Sequence, residues 1–253
     1  MKMFHISDLH FGNHRTDIIE CFLKDLAFYN PEVIIISGDI TQRARDTQFQ
    51  EFLVFLNQLT GKVLIVPGNH DVPLDNFITR MFSPFKKYQK YISPQLNIEF
   101  QNTEVRILGV NSVNPYSIKD GKMSAKNLSA IQEYFSDDFS GLNVLFFHHN
   151  FDYLEGLHKP LENYQQFLDF VKASSIHLIC TGHSHYANVS LLTKNNQKTS
   201  AILHAGSLSC QRSKDGLNSY FMIETAASHC KIHWRVYDNN SFSTRMIEDV
   251  SFI

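Results

Sequence analysis

The sequence has little of what would mark an exported, membrane-bound or nucleic-acid-binding protein. Its four cysteines are far apart and form no CxxC pair, which favours buried free thiols over a disulfide framework or a thiolate metal site. No apolar run approaches the length of a membrane span, and the N-terminus lacks the pattern of a secretion signal. We therefore expect a protein of the reducing cytoplasm that has no membrane partner.

Neither sign of charge is in excess. With 23 Lys and Arg residues and 25 Asp and Glu residues, the formal net charge is -2, which gives no support to a nucleic-acid partner. Histidine, by contrast, is abundant at 13 residues, so the positions of the histidines matter. A length of 253 residues with 43% hydrophobic content suffices for a large core. No linker or repeat divides the chain, so we expect one domain over residues 1–253; a homo-oligomer is left open.

Short apolar runs alternate with longer amphipathic segments up to about residue 186. The runs are nearly continuous and rich in β-branched residues, which is typical of strands covered on both faces, and the alternation predicts an α/β layered fold. Beyond that point the helical periodicity stops, and we expect antiparallel strands that close a second sheet. The predicted strands are Phe4–Ser7, Val33–Ser37, Val63–Val66, Val105–Val110, Val144–Phe147, His177–Cys180, Val189–Leu192, Ser200–His204, Tyr220–Glu224 and Lys231–Tyr237; the predicted helices are Thr16–Tyr29, Ala44–Leu59, Leu74–Tyr91, Ala125–Phe135 and Leu161–Ala173.

Five polar clusters follow the ends of predicted strands, which is where ligands bind in open α/β sheets. Each cluster alone has a structural explanation, such as a turn, a helix cap or a pair of surface histidines. Five separate explanations at five strand ends account poorly for the whole pattern, so we interpret the clusters as parts of one site. The clusters are Asp8-Leu9-His10, Gly38-Asp39, Gly68-Asn69-His70-Asp71, His148-His149 and Gly182-His183-Ser184-His185.

The side chains of these clusters are carboxylate, amide and imidazole groups. Asp8 and His10 lie two residues apart and point to the same side of an extended chain, and the two oxygens of Asp39 could bridge two cations. The side chain of His70 must point away from that of the preceding residue, so it is free to face a substrate; Asp71 either orients His70 or caps the chain that follows. A ligand set of this kind suits Mn, Fe or Zn and disfavours iron–sulfur chemistry.

In their order, the five clusters resemble the calcineurin-like metallophosphoesterase superfamily, and most closely its class III branch of bacterial cyclic-nucleotide phosphodiesterase-like proteins. The matching motifs span residues 8 to 185, most of the chain. The resemblance implies a four-layer α/β/β/α sandwich, with two mixed sheets flanked by helices, and two divalent metal ions (Mn, Fe or Zn). By the same resemblance, Asp8, His10, Asp39 and His185 hold one ion, and Asp39, Asn69, His148 and His183 hold the other, with Asp39 as the bridge.

The resemblance also implies an activity, which is the hydrolysis of phosphodiester bonds in a small anionic substrate by a hydroxide that the two metals activate. Cyclic nucleotides are the leading candidates, and His70 and Asp71 are the predicted catalytic residues, with His70 placed to contact the phosphate. Two divalent cations, the carboxylates of Asp8 and Asp39 and one hydroxide leave about one net positive charge, which favours an anionic ester. A phosphomonoesterase or a nuclease of the same superfamily is the alternative. A non-catalytic scaffold is less well supported, because no motif residue is missing.

Some positions in the sequence do not determine which substrate the protein binds. Asn150 follows the histidine pair where related phosphodiesterases often have proline, and we expect the segment Phe151–Lys159 to line the substrate pocket. Arg43 matches a position that is often basic in the family, and an ion pair on a helix is its alternative role. The sequence does not assign a role to His149. Further candidate substrate contacts are Asn13, His14, Asn111, Tyr116 and His204, and Gly206-Ser207 is predicted to turn near the site.

Overall fold

A computed structural model describes residues 1–153, 159–214, 216–226 and 228–252. The strands are β1 (Lys2–Ile6), β2 (Val33–Ile36), β3 (Lys62–Ile65), β4 (Ile98–Gln101), β5 (Val105–Gly109), β6 (Leu142–Phe146), β7 (Leu178–Thr181), β8 (Asn188–Thr193), β9 (Thr199–His204), β10 (Ser219–Ala226), β11 (His229–Asp238) and β12 (Ser241–Ser251). The helices are α1 (Thr16–Tyr29), α2 (Asp46–Leu56), α3 (Phe77–Phe82), α4 (Lys86–Tyr91), α5 (Ala125–Tyr134) and α6 (Tyr164–Ala173), and a single 3-10 turn covers Asn69–Asp71.

The strands form two six-stranded mixed sheets. The first has the order β12-β11-β10-β1-β2-β3, in which β1, β2 and β3 are parallel and β10, β11 and β12 are antiparallel to their neighbours. The second has the order β4-β5-β6-β7-β9-β8, with four central parallel strands and an antiparallel strand at each edge. Apart from β3, which forms one edge of the first sheet, the parallel strands lie inside their sheets, and nearly all of their residues are buried on both faces.

Three hydrophobic cores separate the layers. Alternate residues of a strand point to opposite faces, so Ile34 and Ile36 of β2 pack with the buried residues of α1 and α2. Val33 and Ile35 face the other way, into the core between the two sheets. On the far side of the second sheet, a third core contains residues of α5 and α6. This arrangement confirms the predicted four-layer α/β/β/α sandwich.

Some elements differ from the sequence-based prediction. The helix predicted over Leu74–Tyr91 is two helices, α3 and α4, separated at Ser83-Pro84, because proline disfavours a helical conformation in the residue before it. The helix predicted from Ala44 begins at Asp46, since Ala44 has a positive φ of 49°. The last strands do not close one second sheet: β8 and β9 join the second sheet, whereas β10–β12 extend the first. Among the described residues, no helix combines the length and apolar character that a membrane crossing requires.

Candidate metal centre

The carboxyl ends of five strands lie at one edge of the sandwich, and the loops that follow them carry all the predicted ligands. β1, β2 and β3 belong to the first sheet, and β6 and β7 belong to the second, so each sheet directs side chains into the space at this edge. The first sheet supplies Asp8, His10, Asp39 and Asn69, and the second supplies His148, His183 and His185. Only the side chain of His185 is more than 5% exposed, at 16%.

The first group of ligand atoms comes from Asp8, His10, Asp39 and His185, which each offer one atom within 4.8 Å of the others. The Nε2 atoms of His10 and His185 are 3.0 Å apart. The Nε2 atom of His185 lies 3.2 Å from Oδ1 of Asp8, and that of His10 lies 3.6 Å from Oδ2 of Asp39. These four side chains are the set that the family resemblance implied for one cation.

The second group lies beside the first and shares Asp39 with it. Oδ1 of Asn69 is 3.1 Å from Nε2 of His148 and 3.0 Å from Nδ1 of His183. The two imidazole nitrogens are 3.3 Å apart, and Oδ2 of Asp39 is 3.4 Å from Nε2 of His148. Asp39 therefore stands between the two groups, which is the position that a bridging carboxylate needs.

The chemistry of these atoms fits a cation in each group. Nδ1 of His148 donates to the carbonyl oxygen of Ser37, and Nδ1 of His185 donates to that of Arg212, so in the neutral imidazoles both Nε2 atoms carry a lone pair. The amide nitrogen of Asn69 donates to the carbonyl of Ile118, which leaves its oxygen to face the histidines. Acceptor atoms thus converge on acceptor atoms in a buried space, and a divalent cation satisfies them together.

The backbone at the ligands is held in an uncommon conformation. A positive φ costs a residue with a side chain about 1–2 kcal/mol, and such strain concentrates at functional sites. The loop after β1 keeps this shape through hydrogen bonds from the N–H groups of Asp8 and His10 to the carbonyls of Gly38 and Asp39. Five of the predicted ligands have a positive φ: Asp8 (53°), His10 (51°), Asp39 (50°), His183 (69°) and His185 (51°).

Glycines let the loops approach one another closely. At Gly68, a β-carbon would run into the carboxylate and backbone of Asp39. At Gly182, a β-carbon would meet the hydroxyl of Ser7 and the carboxylate of Asp8. Gly68 and Gly182 are therefore both required by the packing of one ligand loop against another.

The carboxylates and the imidazoles shift one another's pKa values. Burial alone would raise the pKa of Asp8 and Asp39, but the neighbouring histidines, chiefly His185 and His148 respectively, outweigh burial and hold both pKa values well below their usual range. Burial would lower the pKa of His148, but the carboxylate of Asp39 raises it from 6.5 to about 9. The pKa of His185 is also raised, because the charge of Asp8 outweighs burial. Without a cation, protons on these imidazoles balance the two carboxylates.

His70 lies at the edge of the metal centre. Its ring packs edge-on against that of His10, with 4.8 Å between the ring centroids, and its Nδ1 atom is 2.8 Å from the carbonyl oxygen of Gln42. Its backbone N–H donates to Oδ1 of Asp39. With Nδ1 held by a carbonyl, Nε2 is the nitrogen available to a substrate.

Asp71 does not contact the imidazole of His70. It is fully buried, and its carboxylate accepts hydrogen bonds from the backbone N–H groups of Ile40, Thr41 and Gly68 and from the hydroxyl of Thr41. The direct orienting contact considered from the sequence is therefore absent from the structure. Asp71 instead joins the loop after β2 to the loop after β3, and the loop after β2 carries the Gln42 carbonyl that orients His70.

Two residues near the ligands were not assigned from the sequence. His149 is buried, its Nδ1 atom is 2.8 Å from the hydroxyl of Ser112, and its ring centroid lies 4.6 Å from that of His183. The thiol of Cys210 lies within 4.8 Å of ligand atoms of His10 and His185. Burial raises the pKa of this thiol, so it stays protonated near neutral pH. All four cysteines are buried and free, as predicted.

Two clefts open beside the metal centre. One, of about 250 Å³, is lined by His10, Gln42, His70, His185, Cys210, Arg212, Ser213 and Lys214. The other, of about 630 Å³, is lined by Tyr116, Ser117, Ile118, Lys119, Asp120, Lys159 and His183.

The residues predicted as further substrate contacts lie in different clefts of the structure. Tyr116 lines the larger cleft, as expected for a substrate contact. Asn111 lines a separate cavity with Asn97 and Asn127, and His14 lies against Phe11 in another. Neither cavity is lined by a predicted ligand, and Asn111 and His14 line neither of the two clefts beside the metal centre.

The remaining predicted positions, Asn13, His204 and Arg43, contact neighbouring side chains of the protein. The amide nitrogen of Asn13 lies 3.5 Å from the thiol of Cys210, so it contacts a residue of the smaller cleft without lining it. His204 is buried, with Nε2 2.8 Å from Oδ1 of Asp152 and Nδ1 2.6 Å from the hydroxyl of Thr181. Arg43 forms an exposed ion pair with Asp75.

The structure also shows where two segments noted in the sequence lie relative to the site. Gly206 and Ser207 lie in the irregular segment after β9 rather than in a turn, and the hydroxyl of Ser207 donates to the carbonyl of Asp8 at 2.6 Å, so this segment supports the site. In the segment Phe151–Lys159, Phe151 is buried in the outer core and Lys159 lines the larger cleft. Residues 154–158 lie outside the described part of the chain, and the prediction for them stays a prediction.

Comparison with known proteins gives a consistent result. A model of the calcineurin-like phosphoesterase family matches residues 1–187. A probable cyclic nucleotide phosphodiesterase of Coxiella burnetii is 26% identical over 198 residues, which cover 73% of this chain and 76% of that protein. A glycerophosphodiester phosphodiesterase of Enterobacter lignolyticus is 26% identical over 171 residues, which cover 59% of this chain and 56% of that protein.

Solved structures show the same fold. A dimetal phosphatase from Danio rerio superposes with a TM-score of 0.71 at 11% identity, over 100% of this chain and 99% of that one. A purple acid phosphatase from yellow lupin superposes with a TM-score of 0.77 at 11% identity, over 99% of this chain and 53% of its own. The chain thus spans about half the length of the plant protein.

Proposed function

The chain belongs to the calcineurin-like phosphoesterase family, and from that premise we propose that it is a dinuclear-metal phosphodiesterase acting on small diesters. The observation that carries the proposal is the pair of buried ligand groups that meet at Asp39. In each group, acceptor atoms face one another across 3.0–3.4 Å, an arrangement that a cation stabilises. The relatives named as phosphodiesterases support the choice of diesters.

The seven ligands would hold two divalent cations, with Asp8, His10, Asp39 and His185 around one and Asp39, Asn69, His148 and His183 around the other. Bound there, the cations supply Lewis-acid stabilisation of the phosphoryl oxygens and a hydroxide nucleophile at neutral pH. The donor set of imidazole, carboxylate and amide groups agrees with Mn, Fe or Zn.

The chain's own contribution beyond the ligands comes from His70. His70 lines the smaller cleft, and with its Nδ1 held by the Gln42 carbonyl, its Nε2 can donate a proton to the leaving oxygen or a hydrogen bond to the phosphoryl group. Asp71 positions this residue indirectly, by fixing the segment that carries Gln42. In this proposal His70 keeps its predicted catalytic role, whereas Asp71, also predicted as catalytic, is a positioning residue that acts through the loop carrying Gln42.

Cyclic nucleotides are the substrate class we favour, because one of the similar proteins is named as a probable cyclic nucleotide phosphodiesterase. The larger cleft, of about 630 Å³, has room for a nucleoside beside the scissile phosphate. The exposed ring of Tyr116 on its wall offers a surface on which a base can stack.

The test is an activity panel on protein reconstituted in turn with Mn²⁺, Fe²⁺ and Zn²⁺. The substrates are bis(p-nitrophenyl) phosphate, p-nitrophenyl phosphate, 2′,3′- and 3′,5′-cyclic nucleotides, and single-stranded DNA. We expect the aryl diester and a cyclic nucleotide to be hydrolysed faster than the monoester, and Asp39→Ala to abolish the activity. A preference for the monoester over every diester would replace this proposal with a phosphomonoesterase.

A further inference from the structure

The loop between β5 and α5 forms one wall of the larger cleft. We call residues 113–121 the cleft loop; it closes at its base, where Val113 and Gly121 form an antiparallel bridge. The side chains of Tyr116 and Ile118 in this loop are 76% and 59% exposed. Both residues line the larger cleft together with the predicted ligand His183. An aromatic and an aliphatic side chain are thus exposed on the wall of a cleft that adjoins the metal centre.

A buried arginine holds the middle of the cleft loop. Arg80 lies in α3 and is only 6% exposed. Its Nε donates to the carbonyl oxygen of Pro115 at 2.8 Å, and one of its terminal nitrogens donates to the carbonyl oxygen of Ser117. The other terminal nitrogen lies 3.4 Å from the carbonyl oxygen of Pro73. Pro115 and Ser117 are the residues on either side of Tyr116, so the guanidinium fixes the backbone that carries this ring.

The acceptors around Arg80 are carbonyl oxygens rather than carboxylates. Burial lowers the pKa of the guanidinium, and within the described residues no carboxylate pairs with it. Burying a cation without a counterion is unfavourable, so an apolar side chain would pack α3 against the fold more favourably. What the guanidinium supplies is a planar fork of donors, which binds two carbonyls of one loop in a fixed geometry.

A predicted metal ligand holds the same loop from the other side. The side-chain amide of Asn69 donates to the carbonyl of Ile118 at 3.2 Å. At the base of the loop, the ring of His149 packs so closely on Gly121 that a β-carbon there would come within 2.3 Å of it. Arg80 and Asn69 therefore bind neighbouring carbonyls of one short segment, which sets the position of Tyr116 relative to the metal centre.

We propose that Arg80 is a positioning residue that fixes the cleft loop, so that Tyr116 forms a rigid wall for the alcohol group of the substrate that does not leave. Selectivity for diesters in which this alcohol carries rings, as a nucleoside does, over diesters of small alcohols depends on Arg80. Arg80 lines neither cleft beside the metal centre, so it acts through the loop. The proposal rests on the proposed phosphodiesterase function.

Two chromogenic diesters with the same leaving group test this selectivity. One is the p-nitrophenyl ester of thymidine 5′-phosphate, and the other is methyl p-nitrophenyl phosphate. We expect the metal-loaded protein to favour the nucleoside ester in kcat/KM. Arg80→Gln should lower the ratio of the two kcat/KM values by about tenfold, chiefly through KM, which is the size of effect expected when one base loses its stacking partner.

A second buried arginine provides the matched control. Arg235 is also 6% exposed, but it lies on β11 and lines neither cleft. Arg235→Gln should lower the thermal midpoint and leave the ratio of the two kcat/KM values unchanged. If Arg80→Gln lowers kcat/KM equally for both esters, or leaves both unchanged, Arg80 has no part in selectivity.

A double-mutant cycle shows whether Arg80 acts through the ring of Tyr116. Tyr116→Ala removes this exposed ring and should lower the ratio by itself. Because Arg80 affects selectivity through the position of the ring, Arg80→Gln/Tyr116→Ala should have the same ratio as Tyr116→Ala alone. A further fall of the ratio in the double variant would contradict the proposal, as would an unchanged ratio in Tyr116→Ala.

A partly exposed residue of the loop offers a second variant in case Arg80→Gln does not fold. Oδ1 of Asn114 accepts a hydrogen bond from the backbone N–H of Tyr116 at 3.1 Å, so Asn114→Ala loosens the same segment without leaving a buried space empty. Calorimetric titration compares thymidine 5′-monophosphate with methyl phosphate on each variant. We expect the wild-type protein to bind the nucleotide more tightly and both variants to lose part of this preference.

The binding measurement also separates this proposal from the proposed function. Failure to hydrolyse either ester would remove the phosphodiesterase function, while the ratio of the two affinities would still decide the role of Arg80. Hydrogen–deuterium exchange of residues 113–121 should be faster in Arg80→Gln than in Arg235→Gln. An unchanged affinity ratio in either Arg80→Gln or Asn114→Ala would overturn the proposal.

Discussion

At the scale of single residues, His70 is the histidine of the central motif that belongs to neither ligand group. We expect His70→Ala to retain both cations and to lose about 10²- to 10⁴-fold in kcat, because proton donation contributes that much in general acid catalysis. His14→Ala is the control, since His14 lies in a cavity that no predicted ligand lines. Metal analysis alongside kinetics checks the prediction, and normal turnover in His70→Ala would contradict it.

The imidazoles of the ligand groups predict how metal binding depends on pH. In the metal-free protein the carboxylate of Asp39 raises the pKa of His148 to about 9 against the burial that would lower it, and the pKa of His185 is raised as well. A cation must displace these protons, so its affinity should increase as pH rises from neutrality and level off above about 9. Calorimetric titration with Mn²⁺ in buffers of different ionisation enthalpy measures the protons released, and an affinity independent of pH would contradict the account.

The same shift has a consequence for stability. The folded pKa of His148 is above its ordinary value of 6.5, so its protonated form stabilises the metal-free fold fully below pH 6.5. That contribution is lost as pH rises through about 9. The thermal midpoint of the metal-free protein should therefore fall over this range, by an amount that metal-loaded protein does not show.

At the scale of the elements, the packing of one ligand loop on another makes Gly68 sensitive to substitution. A β-carbon there would run into the carboxylate and backbone of Asp39. We expect Gly68→Ala to weaken metal binding by displacing Asp39, and to cost about 1–3 kcal/mol of stability through overpacking.

A glycine elsewhere provides the matched control for this substitution. Gly61 has a φ of 90° and lies before β3, at the end of the strand opposite the metal centre, so Gly61→Ala should lower stability without changing metal affinity. Metal titration and chemical denaturation of both variants separate the two effects. Equal metal affinity in the two variants would show that Gly68 has no special relation to the site.

The elements that could be predicted from the sequence are those with a strong local pattern. Helix α1 has the predicted bounds Thr16–Tyr29, and the central parallel strands lie where continuous apolar runs predicted them. The edge strands β4 and β12 were not predicted, because β4 is only four residues long and exposed polar residues interrupt the apolar pattern of β12. Which sheet a strand joins depends on contacts distant in sequence, and for this reason the division of the last strands between two sheets was not apparent.

That the motifs belong to one site could be predicted because each motif directly follows a buried strand, and the family resemblance implied how their side chains divide into two ligand groups. The surroundings of the two groups could not be predicted. The Gln42 carbonyl that orients His70, and the cleft loop that Arg80 and Asn69 hold, depend on hydrogen bonds between separate segments. The thiol of Cys210 also approaches His10 and His185 only in the folded chain.

At the scale of the whole molecule, the two ligand groups join the two sheets. Asp8, His10 and Asp39 follow strands of the first sheet, and they meet His185 from the second. The other group joins Asn69 of the first sheet to histidines of the second. Because a ligand that binds only the folded state stabilises it, bound cations should resist separation of the sheets.

The central claim is that these seven side chains cage two cations side by side. The most direct test is a crystal structure of metal-reconstituted protein, with anomalous scattering to locate the ions and elemental analysis of the same sample. The account predicts two metal peaks for each chain, one in each ligand group, with the carboxylate of Asp39 contacting both. A fully active protein with no metal peak in either group, or with peaks that Asp39 does not contact, would contradict it.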